Sequence, residues 1–359
     1  MWYDLMKIGF IGLGQMGKMH LVNCLKMNNV RVIAAADPSK KALNKAKVLG
    51  VPNLYADYEE LLSKNKSDLD VVIISVPNFL HSKAIKLSLE NGLNVFAEKP
   101  LAINVQQCKE IVRSVQDSGR KLMIGHNLRW VPAVVKIKTE VDRGIIGSLE
   151  VVTLEEILNG PFSHPYVPAP VSDWWFDPQR SGGGALMDIG YHMIDLFRFF
   201  TGEETRVVFS DLSYKYNFPV EEGATVVLYT NKSSIRGIIN VGWYQRSVFP
   251  KYNFRGILHG DAGFLSTDDF IPKKIYAHAA KEGFKNILRK IAGRKRRPLS
   301  YTYYWESYYL ELAEFFNCIE KDLNTPTNAV DGLKTVQLIE DAYKIFFDSH
   351  RGKNSENES

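Results

Sequence analysis

The feature that most restricts the fold is a glycine-rich turn close to the N-terminus. A short apolar run, Ile8 to Ile11, is followed at once by Gly12, Gly14 and Gly17 in the spacing G-x-G-x-x-G. Helical periodicity of the apolar residues begins directly afterwards. Glycine at these positions permits a tight turn and lets a helix pack closely against a strand. The stretch therefore predicts the strand, turn and first helix of a βαβ unit.

The same turn predicts a site for the pyrophosphate of a dinucleotide, because a helix N-terminus with little side chain around it favours a phosphate. Asp37 ends the next apolar run, where an acid can accept hydrogen bonds from the adenosine ribose. Its charge would repel a 2′-phosphate, so NAD is favoured over NADP, although the Ser-Lys-Lys segment 39–41 weakens that preference. The alternative for Asp37 is a turn residue before Pro38. The predicted cofactor contacts here are Gly12, Gly14, Gln15, Met16, Gly17 and Asp37.

Apolar runs alternate with helical patterns as far as residue 126, which predicts a doubly wound parallel sheet. Functional residues in such a sheet gather at the carboxyl ends of the strands. Asn78, Glu98 and Lys99 follow two of these runs, although exposure statistics alone would make Lys99 a surface residue. The further predicted cofactor contacts are Ser75, Pro77, Asn78, His81 and Glu98.

The stretch SGGGALMDIGYHMIDLFRFF, residues 181–200, carries polar residues on an apolar helical pattern. Asp188 and His192 are four residues apart and Asp195 is three beyond, so a helix places all three on one face. The three glycines at its entrance allow a sharp turn and a close approach. Either this stripe lines a cavity where the histidine acts as acid or base, or Asp188 caps the helix or anchors a buried histidine beside a tight loop.

Composition is that of a globular protein, with 45% hydrophobic and 24% charged residues in a 359-residue chain long enough for two domains. No apolar run approaches the ~20 residues of a membrane span, and the N-terminus lacks the pattern of a signal peptide. Three scattered cysteines fit neither a disulfide framework nor a metal site. We therefore expect a cytoplasmic location and no bound metal.

Positive charge is concentrated in one segment. Residues Lys281 to Arg297 carry a net charge of +7 in a chain whose total is +5, so nucleic acid is not an expected partner. Within this segment Phe284, Ile287, Leu288 and Ile291 are spaced i, i+3, i+4, i+7, which predicts an amphipathic helix. It could lie on an anionic membrane, hold the phosphates of a nucleotide-sugar, or be a solvated insertion, which is the favoured interpretation.

Five motifs, GLGQMG, VPNFLH, AEKP, RWVP and GGGALMDIGYHMIDL, occur in this order and resemble the glucose-fructose oxidoreductase / inositol dehydrogenase / rhizopine catabolism (Gfo/Idh/MocA) family over essentially the whole chain. The resemblance implies an α/β protein with two domains. The first, residues 1–126, would be a dinucleotide-binding Rossmann domain. The second, residues 127–350, would be an α/β domain with a large open, mostly antiparallel sheet for substrate binding and oligomerisation. Residues 351–359 are expected to form a disordered tail.

The resemblance further implies an NAD(P)-dependent oxidoreductase that transfers a hydride between a secondary alcohol carbon of a sugar, nucleotide-sugar or cyclitol and the nicotinamide ring. The family's catalytic residues fall on Lys99, Asp188 and His192. A redox-assisted glycosidase that uses NAD only transiently is an alternative, and a ligand-sensing member without catalysis is a weaker one. The intact catalytic set counts against the sensor.

Substrate contacts are expected from the second domain and from the residues after the sixth strand. Tyr252 falls on a family position that reaches the substrate. The tryptophan pair at 174–175 either stacks on a sugar ring or fills core, and Arg129 either edges the pocket or anchors the domain junction. A homodimer or homotetramer is expected, because an open sheet with an exposed apolar face must be covered. The predicted substrate contacts are Asn127, Arg129, Trp174, Trp175 and Tyr252.

Overall fold

The structure is a computed structural model that describes residues 5–65, 67–162, 172–244, 254–270, 275–294 and 303–356. The chain divides into two compact units. The first comprises Met1–Ala102, Gln106–Val131 and Pro272–Gly332, and the second comprises Ile103–Val105, Pro132–Ile271 and Leu333–Ser359. This division differs from the expected contiguous domains 1–126 and 127–350, because a late part of the chain returns to the first unit.

The first unit is built on a six-stranded parallel sheet, which confirms the predicted doubly wound architecture. Its strands are β1 (Met6–Ile11), β2 (Val30–Ala36), β3 (Asn53–Tyr55), β4 (Val71–Ile74), β5 (Asn94–Glu98) and β6 (Leu122–Gly125). The helices that connect them are α1 (Gln15–Cys24), α2 (Lys40–Val48), α3 (Tyr58–Asn65), α4 (Asn78–Glu90) and α5 (Val105–Ser118). The strand order is β3-β2-β1-β4-β5-β6. The order reverses between β1 and β4, so the ends of these two strands flank the crevice where such sheets bind ligands.

The late return to the first unit explains the difference in domain boundaries. Helix α10 (Tyr303–Glu320) buries Leu312, Phe315 and Phe316, spaced i, i+3, i+4, in the same core as the β1 and β5 side chains. The segment after α10 then runs along β6, where the Ile124 amide donates to the Thr327 carbonyl at 2.8 Å. A second helix of this return, α9 (Ile275–Ile291), precedes α10.

The second unit contains a six-stranded sheet of order β12-β11-β7-β10-β9-β8, in which only β7 and β10 pair in parallel. This confirms the expected mostly antiparallel sheet. Its strands are β7 (Leu149–Ile157), β8 (Thr205–Ser213), β9 (Gly223–Thr230), β10 (Arg236–Gly242), β11 (Phe254–Gly260) and β12 (Gly263–Ser266). Its helices are α6 (Pro132–Asp142), α7 (Pro178–Ser181), α8 (Tyr191–Thr201) and α11 (Ala329–Glu356), of which the last begins in the first unit.

The two faces of the second sheet differ in burial. Helix α8 covers one face, where Leu154, Val226 and Ile239 are fully buried. Burial alternates along β9 and β10, so the residues between these positions, such as Val227 and Ile238, are only half-buried on the opposite face.

That half-buried face is expected to be covered by a second copy of the chain. Substituting Val227 with aspartate should then lower the mass measured by light scattering to the monomer value of 40.8 kDa. Val48→Asp is the matched control, because Val48 is 87% exposed on α2 and its charge should leave the mass unchanged. A wild-type protein that is already monomeric at micromolar concentration would contradict this expectation.

The C-terminal helix is longer than expected. It continues to Glu356, six residues into the segment predicted to be a disordered tail, because Arg351, Lys353 and Glu356 are good helix formers that extend a helix already begun. Within the described part of the chain, no helix combines the length and the apolar character needed to cross a membrane.

Candidate active site

Two of the three motif glycines are required by the first unit's own packing. Gly12 follows β1 with φ at +90°, and a Cβ there would lie 2.3 Å from the Ser75 carbonyl oxygen. A Cβ on Gly17 would lie 2.1 Å from the Gly12 carbonyl oxygen. These glycines therefore let the turn pass beneath the end of β4 and let α1 start against it.

Gly14 differs, because nothing in the protein requires a glycine there. Its φ is −60°, and a Cβ at this position would meet no atom within 4 Å. Gly14 precedes α1 and provides no side-chain cap for the N-terminal amides of the helix. Gln15 is exposed and Met16 half-buried beside it. This is the arrangement that a ligand needing close approach to the backbone, such as a dinucleotide pyrophosphate, would require.

Asp37 lies beside this turn at the end of β2. One carboxylate oxygen accepts from the Leu13 amide at 2.7 Å and the other from the Ser39 amide at 2.8 Å. Asp37 therefore also acts as a turn residue, which was the alternative to a cofactor contact, because it accepts hydrogen bonds from nearby backbone amides. Each oxygen keeps a second lone pair, so the carboxylate can also accept from a ribose hydroxyl.

NAD is expected to bind more tightly than NADP. The Asp37→Ser substitution should reduce or reverse this difference in affinity between the two cofactors. The fixed carboxylate would lie against a 2′-phosphate, and its removal ends that repulsion. Calorimetric titration with both cofactors measures this. Tighter binding of NADP by the wild type would show that Ser39 and the lysines after it control the ribose site.

The other predicted cofactor contacts follow β4 and β5. Ser75 comes directly after β4, and its hydroxyl is buried without a hydrogen-bond partner among the described residues, as a ligand-binding group would be. Pro77 and Asn78 form the start of α4 and are half-buried. His81 is 1% exposed, and both of its ring nitrogens contact the backbone. Nδ1 lies 2.7 Å from the Pro100 carbonyl oxygen, and Nε2 lies 2.9 Å from the Val76 carbonyl oxygen. Burial lowers the pKa of His81 and favours its neutral ring.

Glu98 belongs to a buried cluster that no sequence motif indicated. Its Oε1 lies 2.5 Å from Nε2 of His20 on α1, and the Glu311 carboxylate from α10 lies within 4.8 Å of both. Burial, and then the charge of Glu98, raise the pKa of Glu311 well above its ordinary range. The contact between His20 and Glu98 links α1 to the residue that precedes Lys99, whereas both Glu311 oxygens are buried without a hydrogen-bond partner among the described residues. Glu98, expected to contact the cofactor, is thus 8% exposed and engaged with protein.

Lys99 follows β5 and is half-buried, and the Lys99–Pro100 peptide bond is cis. Asn127 and Arg129, expected to contact substrate, have partners within the first unit. Asn127 is 2% exposed and donates to the Ser307 hydroxyl at 3.2 Å, while Arg129 donates to the Pro326 carbonyl at 3.0 Å. Both side chains therefore fasten the 3₁₀ turn Asn127–Trp130 to the returning segment.

In the second unit, the helix that carries Asp188 and His192 has the pattern of a site. From Leu186 to Phe197 only these two residues are partly exposed. Asp188 lies in a π-helical turn, Leu186–Gly190, which continues into α8. Such turns are frequent at functional sites. Asp195, expected to join the same stripe, is 1% exposed and is therefore not part of this partly exposed pair.

The glycine run before this helix is held by Glu221. The amides of Gly184 and Leu186 donate to its carboxylate at 3.0 and 2.9 Å, and the Tyr343 hydroxyl donates at 2.7 Å. A Cβ on Gly183 would lie 2.0 Å from the Tyr343 oxygen, and one on Gly184 would lie 1.9 Å from the Glu221 carbonyl. Gly183 and Gly184 are thus required so that the Tyr343 hydroxyl and Glu221 can approach the backbone that precedes Asp188.

Stability is expected to fall as pH rises through the titration of Glu221. Burial raises its pKa from the ordinary 4.5 to about 7, so the folded state binds this proton more tightly than the unfolded state. The contribution is complete below pH 4.5 and is lost by pH 7, a change of up to about 3 kcal/mol.

The Glu221→Gln variant provides the comparison, since its amide does not ionise. Urea unfolding of both proteins at pH 4.5 and 7 isolates the contribution of this residue from that of all others. The stability of the wild type should decline relative to the variant between these two pH values. A constant difference would mean that the folded protein does not raise this pKa.

An aromatic cluster adjoins Asp188. Trp174 and Trp175 stack at 4.6 Å between ring centroids, and Trp243 meets Trp175 edge-on at 6.4 Å. The Trp243 Nε1 donates to Asp188 Oδ2 at 3.2 Å. The predicted tryptophan pair is therefore half-buried beside the catalytic candidate, and Trp243 is a further member that no motif indicated. Tyr252 lies outside the described residues.

Two family models match the chain. The model of the oxidoreductase family with an NAD-binding Rossmann fold matches residues 6–126, and the GFO/IDH/MocA C-terminal domain matches residues 134–266. Among curated proteins, inositol 2-dehydrogenase of Rhizobium meliloti is 26% identical over 347 residues, which cover 94% of this chain and 96% of that protein. The 2,7-anhydro-N-acetylneuraminate hydratase of Mediterraneibacter gnavus is 29% identical over 202 residues, which cover 56% and 49%.

Solved structures show the same fold. The scyllo-inositol dehydrogenase of Lactobacillus casei, with bound NAD(H) and scyllo-inositol, superposes with a TM-score of 0.76 at 21% identity, over 96% of this chain and 98% of that one. Both parts of the sequence thus match one family, and the first matches its cofactor-binding domain. The chain belongs to the Gfo/Idh/MocA family of NAD-binding oxidoreductases.

Proposed function

We propose that the protein is an NAD-dependent dehydrogenase of a secondary alcohol on a sugar, nucleotide-sugar or cyclitol. The observation that carries the proposal is the Asp188–His192 pair, one turn apart and partly exposed on a helix that is otherwise buried over residues 186–197. The relationship to inositol 2-dehydrogenase supports this substrate class.

His192 is assigned the transfer of the hydroxyl proton. Oxidation of a secondary alcohol removes a hydride from carbon and a proton from oxygen, and imidazole, with an ordinary pKa of ~6.5, is suited to accept that proton near neutral pH. Asp188 is fixed by its hydrogen bond from Trp243. From that position one turn before His192, its carboxylate can orient the ring and favour the imidazolium form. In the reverse direction the same imidazolium returns the proton.

Lys99 is assigned the stabilisation of negative charge on the reacting oxygen, since an ammonium group is most effective where charge develops in the transition state. The contact between His20 on α1 and Glu98 holds the end of β5, after which Lys99 follows. Lys99 and the Asp188–His192 pair belong to different compact units, so their joint action on one oxygen rests on the family resemblance.

The cofactor contacts are assigned to Gly12, Gly14, Asp37 and Ser75, because these residues supply an open helix N-terminus, a ribose acceptor and an unpartnered buried hydroxyl. When bound there, NAD supplies the ring that accepts or returns the hydride. The stacked tryptophans 174 and 175 are assigned the apolar face of the sugar ring. A cytoplasmic location suits the three buried free thiols.

A redox-neutral reaction, such as hydrolysis of a glycoside, is the second candidate, and the relative named as a hydratase favours it. The two functions predict different stoichiometry. A dehydrogenase forms one NADH for each molecule of product, whereas a redox-neutral enzyme forms product while NADH stays at or below the enzyme concentration. Incubation with NAD and a panel of glycosides and free sugars, with product and NADH measured in the same sample, distinguishes them. Stoichiometric NADH supports the dehydrogenase.

A further inference from the structure

Helix α9 presents its apolar side away from the protein. Phe284, Ile287, Leu288 and Ile291 are 61%, 58%, 50% and 78% exposed. Their spacing of i, i+3, i+4, i+7 places them on one face of the helix. Asn286, which points to the opposite side, is 6% exposed. The helix is therefore buried at a polar residue and exposed along its apolar stripe, which is the reverse of the usual amphipathic arrangement and leaves the stripe for another partner.

Positive charges border the stripe on both sides. At 100° per residue, Lys281 and Lys285 lie along one margin, and Lys290 and Arg294 lie along the other. Glu282 is the single acid among residues 281–294. The sequence continues with Lys295, Arg296 and Arg297, which are outside the described residues. A partner must therefore match an apolar strip between two rows of cations.

Three kinds of partner could contact α9, and the positions of its charges and apolar side chains favour one of them. A second copy bound through the same helix would place cation against cation, and the repulsion disfavours it. A phosphate-bearing substrate would use the cations but not four exposed apolar side chains. An anionic lipid surface matches both, because acyl chains accept the stripe while headgroups meet the lysines and arginines.

We propose that α9 binds the surface of a membrane that contains anionic lipid, with Phe284, Ile287, Leu288 and Ile291 inserted at the headgroup–acyl boundary. The helix lies parallel to the surface and anchors the enzyme peripherally. This location is independent of the reaction assigned above, because no residue of α9 belongs to the proposed catalytic or cofactor set.

Co-sedimentation of the full-length protein with vesicles tests the proposal. Equimolar phosphatidylcholine and phosphatidylglycerol should pellet the protein, and phosphatidylcholine alone should pellet much less. Each Lys or Arg near an anionic surface contributes about fivefold to partitioning. Replacing the four flanking cations, Lys281, Lys285, Lys290 and Arg294, with serine should thus weaken binding more than about 100-fold.

A quadruple serine variant of the apolar stripe should also lose binding. Phe264→Ser is the matched control, since Phe264 is 63% exposed on β12, and its loss should leave sedimentation unchanged. All the variants are expected to fold, because all the substituted residues are exposed. Thermal melting checks this expectation.

Three results would overturn the proposal. The first is equal sedimentation of the stripe variant and the wild type. The second is equal binding of the wild type to both vesicle types. The third is a stripe variant whose mass in light scattering falls to a smaller oligomer while vesicle binding by the wild type is absent, which would assign the face to a second copy of the chain.

Discussion

Turnover is expected to fall by ~100-fold or more in His192→Ala and in Lys99→Ala, while both variants still bind NAD. A positioned acid–base group is worth about 100- to 10,000-fold, and removal of one group that stabilises developing charge costs about as much. Neither side chain is among the assigned cofactor contacts, so calorimetric NAD affinity should stay near that of the wild type. Steady-state NADH formation on the identified substrate measures the loss.

His259→Ala and Lys47→Ala are the matched controls, because each removes the same side chain from an exposed position on β11 or α2. Both should retain full turnover. Near-wild-type activity in either test variant would remove that residue from the catalytic set.

Gly14→Val is expected to weaken NAD binding about 10- to 100-fold without lowering thermal stability. The protein has space for a β-carbon here, since one at residue 14 meets nothing within 4 Å and the residue is exposed with an extended backbone. The added atoms occupy the space through which a pyrophosphate would approach the amides of α1. Loss of one hydrogen bond to a charged group costs about 1.5–3 kcal/mol, which corresponds to the predicted range.

Gly50→Ala is the control, in which thermal stability is expected to fall while NAD affinity stays the same. Gly50 has φ at +91° with no atom near a Cβ, so alanine is strained there but obstructs nothing. Its melting temperature should fall, by the equivalent of roughly 1 kcal/mol, while NAD affinity is unchanged. If Gly14→Val binds NAD as the wild type does, the cofactor does not approach this turn.

The parallel sheet of the first unit could be predicted because five of its six strands, all except the short β3, are marked locally by an apolar run. β4 is four fully buried apolar residues between polar segments, and the glycines of the β1–α1 turn carry their own spacing. The return of α10 to the same core could not be predicted in this way. Leu312, Phe315 and Phe316 mark an apolar helical face, but periodicity does not say which core the face joins.

The candidate site likewise contains some residues whose proximity a local pattern predicts and others that only tertiary contacts bring together. Asp188 and His192 are four residues apart, so helical geometry alone predicts their proximity. Trp243, Glu221 and Tyr343 are brought to that helix and its entrance by tertiary contacts that span 35 or more residues of sequence, which no local pattern records. His81 and Asn127 show the converse, because residues that follow strand ends are well placed for ligands and are equally well placed to fasten neighbouring loops.

The most direct measurement is NADH absorbance from purified protein and NAD with a panel of inositols, hexoses and UDP-sugars, repeated with His192→Ala. At least one of these polyols should give continuous NADH formation that the variant lowers ~100-fold or more. Failure of the whole panel to reduce NAD by more than one equivalent of enzyme, in a protein shown by calorimetry to bind NAD, would contradict the proposed dehydrogenase.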